Sequence, residues 1–201
     1  MTQPPATEKG RATRERILHA AAELVAEKGA AGMSLDDVRA TTGASRSQLY
    51  HYFDDRDDLV RAVIDVTTDA VLGAQGDLLG RLDSWAGIDR WFDSLVQLQV
   101  DRQARGGCPI GSLAGQLAER DAGARVALAA GFERWEAHLR DGLTRMKARG
   151  KLRPDADPAE LATATMASLQ GGLLLTQVRR DPRQLRIALD AARANLRLAA
   201  A

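Results

Sequence analysis

Residues 34–53 read SLDDVRATTGASRSQLYHYF, and this stretch decides the fold. Ser34 can cap a helix with its hydroxyl, and Asp37, three residues on, completes capping-box spacing. Leu35 and Val38 then face inward. Gly43 ends that helix after few turns, because glycine tolerates the positive φ of a tight stop. Ser45 opens a second helix, with Gln48 at the same spacing. Its inner face is Leu49, Tyr52 and Phe53. Two short helices around Gly43-Ala44-Ser45 are the pattern of a helix-turn-helix, here over about 34–53. So short a second helix is unstable alone and must be held by Leu49 and Phe53. The opposite face then carries Arg46, Gln48, Tyr50 and His51. Arginine can meet a guanine edge or a phosphate, and glutamine can pair with adenine. Tyrosine and histidine can reach phosphates. One conflict is built in: a Gln48 that folds back to close the box cannot read a base in the same rotamer.

Upstream, Thr13 to Glu27 places Ile17, Ala21, Leu24 and Val25 at helical spacing, and Gly29 stops the run. The basic residues Lys9, Arg11, Arg14 and Arg16 precede or enter it. The polar, proline-rich residues 1–10 are expected to form a disordered tail. Downstream the chain reads as helix over about 56–82, 84–105, 110–119, 122–149, 159–179 and 182–199. Gly106-Gly107-Cys108-Pro109, the turn at 150–158 and Asp181-Pro182 are the breaks. Asp54, Asp55, Asp57 and Asp58 cluster where a helix N-terminus favours negative charge. They lack the glycine and the final glutamate of a calcium loop. The expectation is an all-α protein of about nine helices. A three-helix helix-turn-helix head over 11–71 would be followed by a helical body over 72–201.

Composition agrees. Of 201 residues, 45% are hydrophobic and 4% aromatic, with Ala, Leu and Arg dominant, which suits helices rather than sheets. A net charge of +1 excludes a polybasic chain, so nucleic-acid binding would need a local patch. Cys108 stands alone, so no internal disulfide can form, which fits a reducing cytoplasm. No apolar run is long enough to span a membrane. His19, His51 and His138 are scattered. Gly111-Ser112-Leu113-Ala114-Gly115 misplaces the serine of a nucleophile elbow, and no lysine follows a phosphate-binding glycine loop. No catalytic residue, metal site or cofactor is therefore expected. A three-helix bundle without a nucleic-acid role and a helical protein-interaction module remain as alternatives.

Residues 13–59 resemble the TetR family of bacterial repressors. The match is carried by Thr13, Ile17, Ala20-Ala21, Leu24, Gly29, Ser34, Val38, Gly43, Ser45, Leu49-Tyr50-His51-Tyr52-Phe53 and Leu59. The turn at Leu152-Arg153-Pro154-Asp155 is also similar to that family. Ala30 departs from the family's usual aromatic, Arg39 and Thr42 replace small alanines, and Arg56 stands where lysine is frequent. The resemblance implies a homodimer on a palindromic double-stranded DNA operator, its half-sites about one helical turn or a small multiple apart. The DNA-contacting residues would be Thr13, Arg14, Ser34, Ser45, Arg46, Gln48, Tyr50, His51 and Arg56.

For the body, the resemblance implies a cavity for a small-molecule effector. Trp91, Phe92, Leu95, Trp135, His138, Met166, Gln170 and Leu174 are its candidate lining, with His138 and Gln170 orienting the ligand. Ordinary core packing would explain the same residues. Gly107 to Leu113 resembles a branch typified by flavonoid- and drug-responsive regulators of Gram-positive bacteria, which implies a hydrophobic or aromatic ligand. Cys108 is a candidate redox sensor or a small buried hydrophobe. The last two helices are expected to pair with a second copy through Leu161, Thr165, Ser168 and Leu169, and through Leu185, Ala188, Leu189, Ala192 and Leu196. A core stripe inside one subunit would show the same pattern.

Overall fold

A computed structural model describes residues 7–201. Helices α1 (Glu8–Gly32), α2 (Leu35–Thr42), α3 (Arg46–Tyr52) and α4 (Arg56–Gly73) are followed by a 3-10 turn at Gly76–Arg81. Then come α5 (Trp85–Asp101), α6 (Pro109–Leu117), α7 (Ala122–Ala148), α8 (Pro158–Arg179) and α9 (Arg183–Leu198). The all-α expectation holds. The chain forms two compact units. One runs to Val71 and takes in Ser112–Gly131, and the other comprises Leu72–Gly111 and Phe132–Ala201. The segment 112–131 thus groups with the head.

In the first unit, α1 starts earlier than the sequence suggests. The Thr7 hydroxyl accepts from the Gly10 N–H at 3.1 Å, and Glu8 adds first-turn negative charge, so Glu8–Gly10 are helical rather than part of a tail. Residues 1–6 of the expected tail lie outside the described residues. Gly29 breaks α1 with φ 77° and ψ 164°, a conformation reserved for glycine, and a last turn follows it to Gly32.

Both helices of the helix-turn-helix begin with complete capping boxes. The Ser34 hydroxyl accepts from the Asp37 N–H, and Asp37 accepts from the Ser34 N–H at 3.1 Å. Ser45 and Gln48 repeat the arrangement. Gly43 closes α2 at φ 67°. Asp55 accepts from the Asp58 N–H at 2.7 Å, so the acidic run starts α4. Contrary to expectation, α4 does not continue to residue 82. It ends at Gly73, and Gly76 turns the chain at φ 48°.

In the second unit, α8 and α9 lie close together. A Cβ at Gly172 would sit 2.8 Å from Ala188 Cβ and 2.9 Å from Leu185 Cδ1, so the absent side chain sets the approach. The Leu185 N–H donates to the Thr176 hydroxyl at 3.0 Å across the same seam. Leu169, Leu185, Leu189, Ala192 and Leu196 are buried there. The polar edge of α9 meets α5: Arg193 and Arg197 reach Asp89 at 2.8 and 3.1 Å, and Arg186 reaches Asp93 at 2.6 Å. Arg197 also lies over the Trp85 ring, 4.5 Å from its centroid.

Gly172→Ala should lower stability in urea by about 1–3 kcal/mol through overpacking. Gly115→Ala, at a helical glycine with open space around it, should raise stability by about 0.5–1 kcal/mol. The α2 cap adds a pH dependence. The Ser34 hydroxyl, and after it Lys28 at 3.0 Å, hold the Asp37 carboxyl at about 2, below its ordinary 3.8. Its contribution is therefore fully present above about pH 4 and is lost as pH falls through about 2. Acid titrations of Asp37→Asn should show a shallower stability loss across that window than wild type.

Candidate nucleic-acid interface

Helix α3 has only seven residues and owes its position to two anchors. Leu49 and Phe53 are each 2% exposed, and Ala44 in the turn is also buried. Helical geometry then forces the intervening side chains outward. Ser45, Arg46, Ser47, Gln48, Tyr50 and His51 are exposed. Arg46 lies over the Tyr50 ring, 5.7 Å from its centroid, so an i,i+4 pair holds the cation beside an aromatic hydroxyl on the outer face. His51 meets the half-buried Tyr52 edge-on at 4.9 Å. The Gln48 conflict resolves toward the cap, because its Oε1 accepts from the Ser45 N–H at 2.8 Å.

The other candidate DNA contacts are more committed. The Thr13 hydroxyl donates to the Lys9 carbonyl at 2.9 Å. The Arg14 guanidinium covers the Phe53 ring at 5.3 Å. Ser34 spends its hydroxyl on Asp37. Arg56, singled out for a phosphate, donates Nε to the Met33 carbonyl at 3.0 Å and another nitrogen to the Ala30 carbonyl. Its remaining nitrogen pairs with Asp57 at 3.3 Å. In this geometry Arg56 braces the turn between α1 and α2. Ser47, absent from the sequence candidates, lies exposed on α3. Arg39, in sequence only a departure from alanine, also belongs to this surface. Arg39 lines a groove of about 760 Å³ with Ala44, Ser45 and Gln48, where Asp36 pairs with it at 2.8 Å.

The body candidates separate into three groups. Trp91 and Phe92 are fully buried. The Trp91 indole N–H donates to Gln75 at 2.7 Å, and Arg193 lies over Phe92 at 5.7 Å, so both are satisfied core residues. Leu95, Trp135 and Met166 are buried and Gln170 half-buried. The Trp135 Nε1 and Gln170 Nε2 are buried without a partner. Gln99, which the sequence reading did not select, is 2% exposed and leaves its Oε1 unpartnered. It follows Trp91 and Leu95 on the inward face of α5, and a polar residue on an apolar stripe was the available clue. His138 is exposed and Leu174 is 60% exposed, so neither lines an internal cavity, contrary to expectation. Burial pushes the Cys108 thiol up, with the Gly111 N–H at 3.4 Å from its sulfur opposing, which disfavours the thiolate that a redox sensor needs.

The stripe expected to pair two copies is largely internal. Thr165, Leu169, Leu185, Leu189, Ala192 and Leu196 are buried within one protomer, and Leu161, Ser168 and Ala188 are half-buried. The close α8–α9 approach at Gly172 uses this face up. The outward apolar residues are different ones: Leu174, Leu175 and Val178 on α8, and Ile187 and Leu198 on α9.

Comparison with known proteins agrees with this geometry. Residues 17–63 match the family model described as bacterial regulatory proteins, tetR family. Residues 85–192 match the tetracyclin repressor-like C-terminal domain. An HTH-type transcriptional regulator of Mycobacterium tuberculosis is 31% identical over 179 residues, covering 84% of this chain and 86% of the relative. The HTH-type transcriptional regulator in the lacX 3' region of Lactococcus lactis is 30% identical over 176 residues, covering 85% and 86%. Among solved structures, a TetR transcriptional regulator from Chloroflexus aurantiacus superposes with TM-score 0.79 at 24% identity, over 96% of this chain and 98% of that one. Regulatory protein TetR from Rhodobacter sphaeroides gives 0.73 at 22%, over 90% and 97%. The structural likenesses speak to the fold alone. With a helix-turn-helix displayed on buried anchors, family models matching both parts of the chain and relatives at this identity, the protein belongs to the TetR family of transcriptional regulators and carries its helix-turn-helix DNA-binding domain.

Proposed function

We propose that the protein is a homodimeric, cytoplasmic repressor released from a palindromic operator by a small, neutral, largely hydrophobic effector. The observation that carries the reading is the face of α3, where Arg46, Ser47, Tyr50 and His51 are exposed while Leu49 and Phe53 are buried. Such a helix suits the major groove, with Arg46 the strongest candidate for a guanine edge or phosphate. Arg14 and Arg56 support the head from inside, and a backbone contact by either would need a changed rotamer.

Dimerisation is assigned to the outward faces of α8 and α9. Leu174 and Val178 are 60% and 72% exposed, and Ile187 and Leu198 are 65% and 75% exposed. On α9, Ile187, Ala191, Ala194 and Leu198 form one stripe at helical spacing, and all are exposed. Apolar side chains gathered on two adjacent helices mark an association surface. Two-fold pairing of the same patch would present two α3 helices to one duplex.

Support for an effector comes from the unpartnered Trp135 Nε1, Gln170 Nε2 and Gln99 Oε1. Buried polar atoms without partners call for water or a ligand. These supply donors and an acceptor but no charge, which favours a neutral, hydrogen-bonding guest. Effector and operator would then oppose each other reciprocally, each weakening the other's binding by the same factor.

The DNA reading is tested by selecting duplexes from a random library with the full-length protein. The selected sites should be palindromic and binding should fall steeply with salt. Arg46→Ala should weaken operator binding by about 1–3 kcal/mol without changing the oligomeric state. Wild-type affinity in that variant would refute the assignment of the recognition face. For the dimer, Val178→Glu should shift light-scattering mass from dimer to monomer and abolish tight operator binding while the helical circular dichroism is retained. A Val178→Glu protein that stays dimeric would move the interface elsewhere.

A further inference from the structure

The kink at Gly29 creates a local problem that a distant side chain solves. Beyond it, the Ala30 N–H finds its partner outside α1. It donates to Gln116 Oε1 at 2.8 Å, 86 positions downstream on α6. The fit is close, since a Cβ at Gly29 would lie 2.9 Å from that same oxygen. The Gln116 amide is oriented by its own helix: Nε2 donates to the Ser112 carbonyl at 3.2 Å and to its hydroxyl at 3.4 Å. The oxygen is therefore presented outward from α6 in a fixed direction. Leu113 and Leu117, also on α6, are buried. Arg56 holds the carbonyls of Ala30 and Met33 from α4. The turn from Gly29 to Met33 is thus gripped on its donor side by α6 and on its acceptor side by α4. The next residue, Ser34, is the N-cap of α2, so the position of this turn sets where the helix-turn-helix begins.

We infer that Gln116 is a positioning residue through which α6 sets the α1–α2 turn and, with it, the placement of α2 and α3. The bond is a neutral amide pair in a half-buried setting, where a net contribution of modest size is expected. A contact of that size can bias a turn without being required for folding. Helix α6 starts at Pro109 in one compact unit, and from Ser112 it belongs to the other. This role goes beyond the proposed repressor function, because it requires neither an operator nor an effector.

The test is amide hydrogen exchange on the full chain, read by NMR at Ala30 and its neighbours. Gln116→Ala should speed exchange at Ala30 by roughly 3- to 10-fold, matching the net worth of one hydrogen bond. Gln116→Glu retains an acceptor but loses the donor that Ser112 holds, so it should restore protection only in part. A merely structural role is separated by perturbing the start of α6. Gly111→Val introduces a side chain where even a Cβ would meet Gln170 Oε1 at 2.9 Å and Cys108 Cβ at 3.3 Å. It should alter exchange across residues 29–34 in the wild-type background and have less than about half that effect when Gln116 is alanine, as expected of coupled sites. If Gly111→Val does not fold, Gly111→Ala gives the same comparison at smaller amplitude. Unchanged Ala30 exchange in Gln116→Ala, no response to the Gly111 substitution, or an equal response with and without Gln116 each overturns the inference. None of those outcomes bears on operator binding, which is measured separately.

Discussion

The burial of Leu49 and Phe53 is the constraint on which the functional surface depends. A helix of seven residues has too few internal hydrogen bonds to persist in water, so α3 exists because its apolar side is held. The same attachment leaves the opposite side unable to turn inward. Anchoring and display are one event: the residues offered to solvent are those that cannot reach the core. The capping boxes fix the starts of α2 and α3 within four residues each, so little freedom remains in where α3 points. Such preorganisation lowers the ordering cost of docking on a rigid duplex.

Much of this was readable from the chain because the determinants are local. Ser34 with Asp37, Ser45 with Gln48, and the glycine at 43 each act within a few residues, and the structure reproduces all three. The body was less legible for a geometrical reason. Helix α9 carries two apolar stripes of identical spacing, Leu185-Leu189-Ala192-Leu196 and Ile187-Ala191-Ala194-Leu198, two residues apart. Periodicity shows that both stripes exist and does not say which one faces the core. The choice is made by Gly172 on α8, whose missing side chain admits Leu185 and Ala188. Gln116 illustrates a second limit. Nothing near it in sequence announces a partner at Ala30, and the glycine at 29 hints only that a turn needs unusual backbone.

The acidic run after α3 shows how one composition can be read in two ways. Four aspartates in five positions suggest a cation site when read as ligands. In the structure Asp55 caps α4 and Asp58 accepts from the Asp54 N–H and pairs with Arg61. Their charges are spent on a helix N-terminus, where the backbone dipole favours them. Among the described residues, the buried polar side-chain atoms without a partner are Arg39 Nε on α2 and three neutral ones in the body, one each on α5, α7 and α8.

Because Ser112–Gly131 completes the unit that holds the helix-turn-helix, the head is not a portable cassette. A fusion that joined the chain up to Val71 to a foreign body would discard Gln116 and leave the Ala30 N–H without its acceptor. Engineers seeking to exchange recognition heads between regulators of this type would need to graft two discontinuous pieces, or redesign the kink so that the turn is satisfied from its own side.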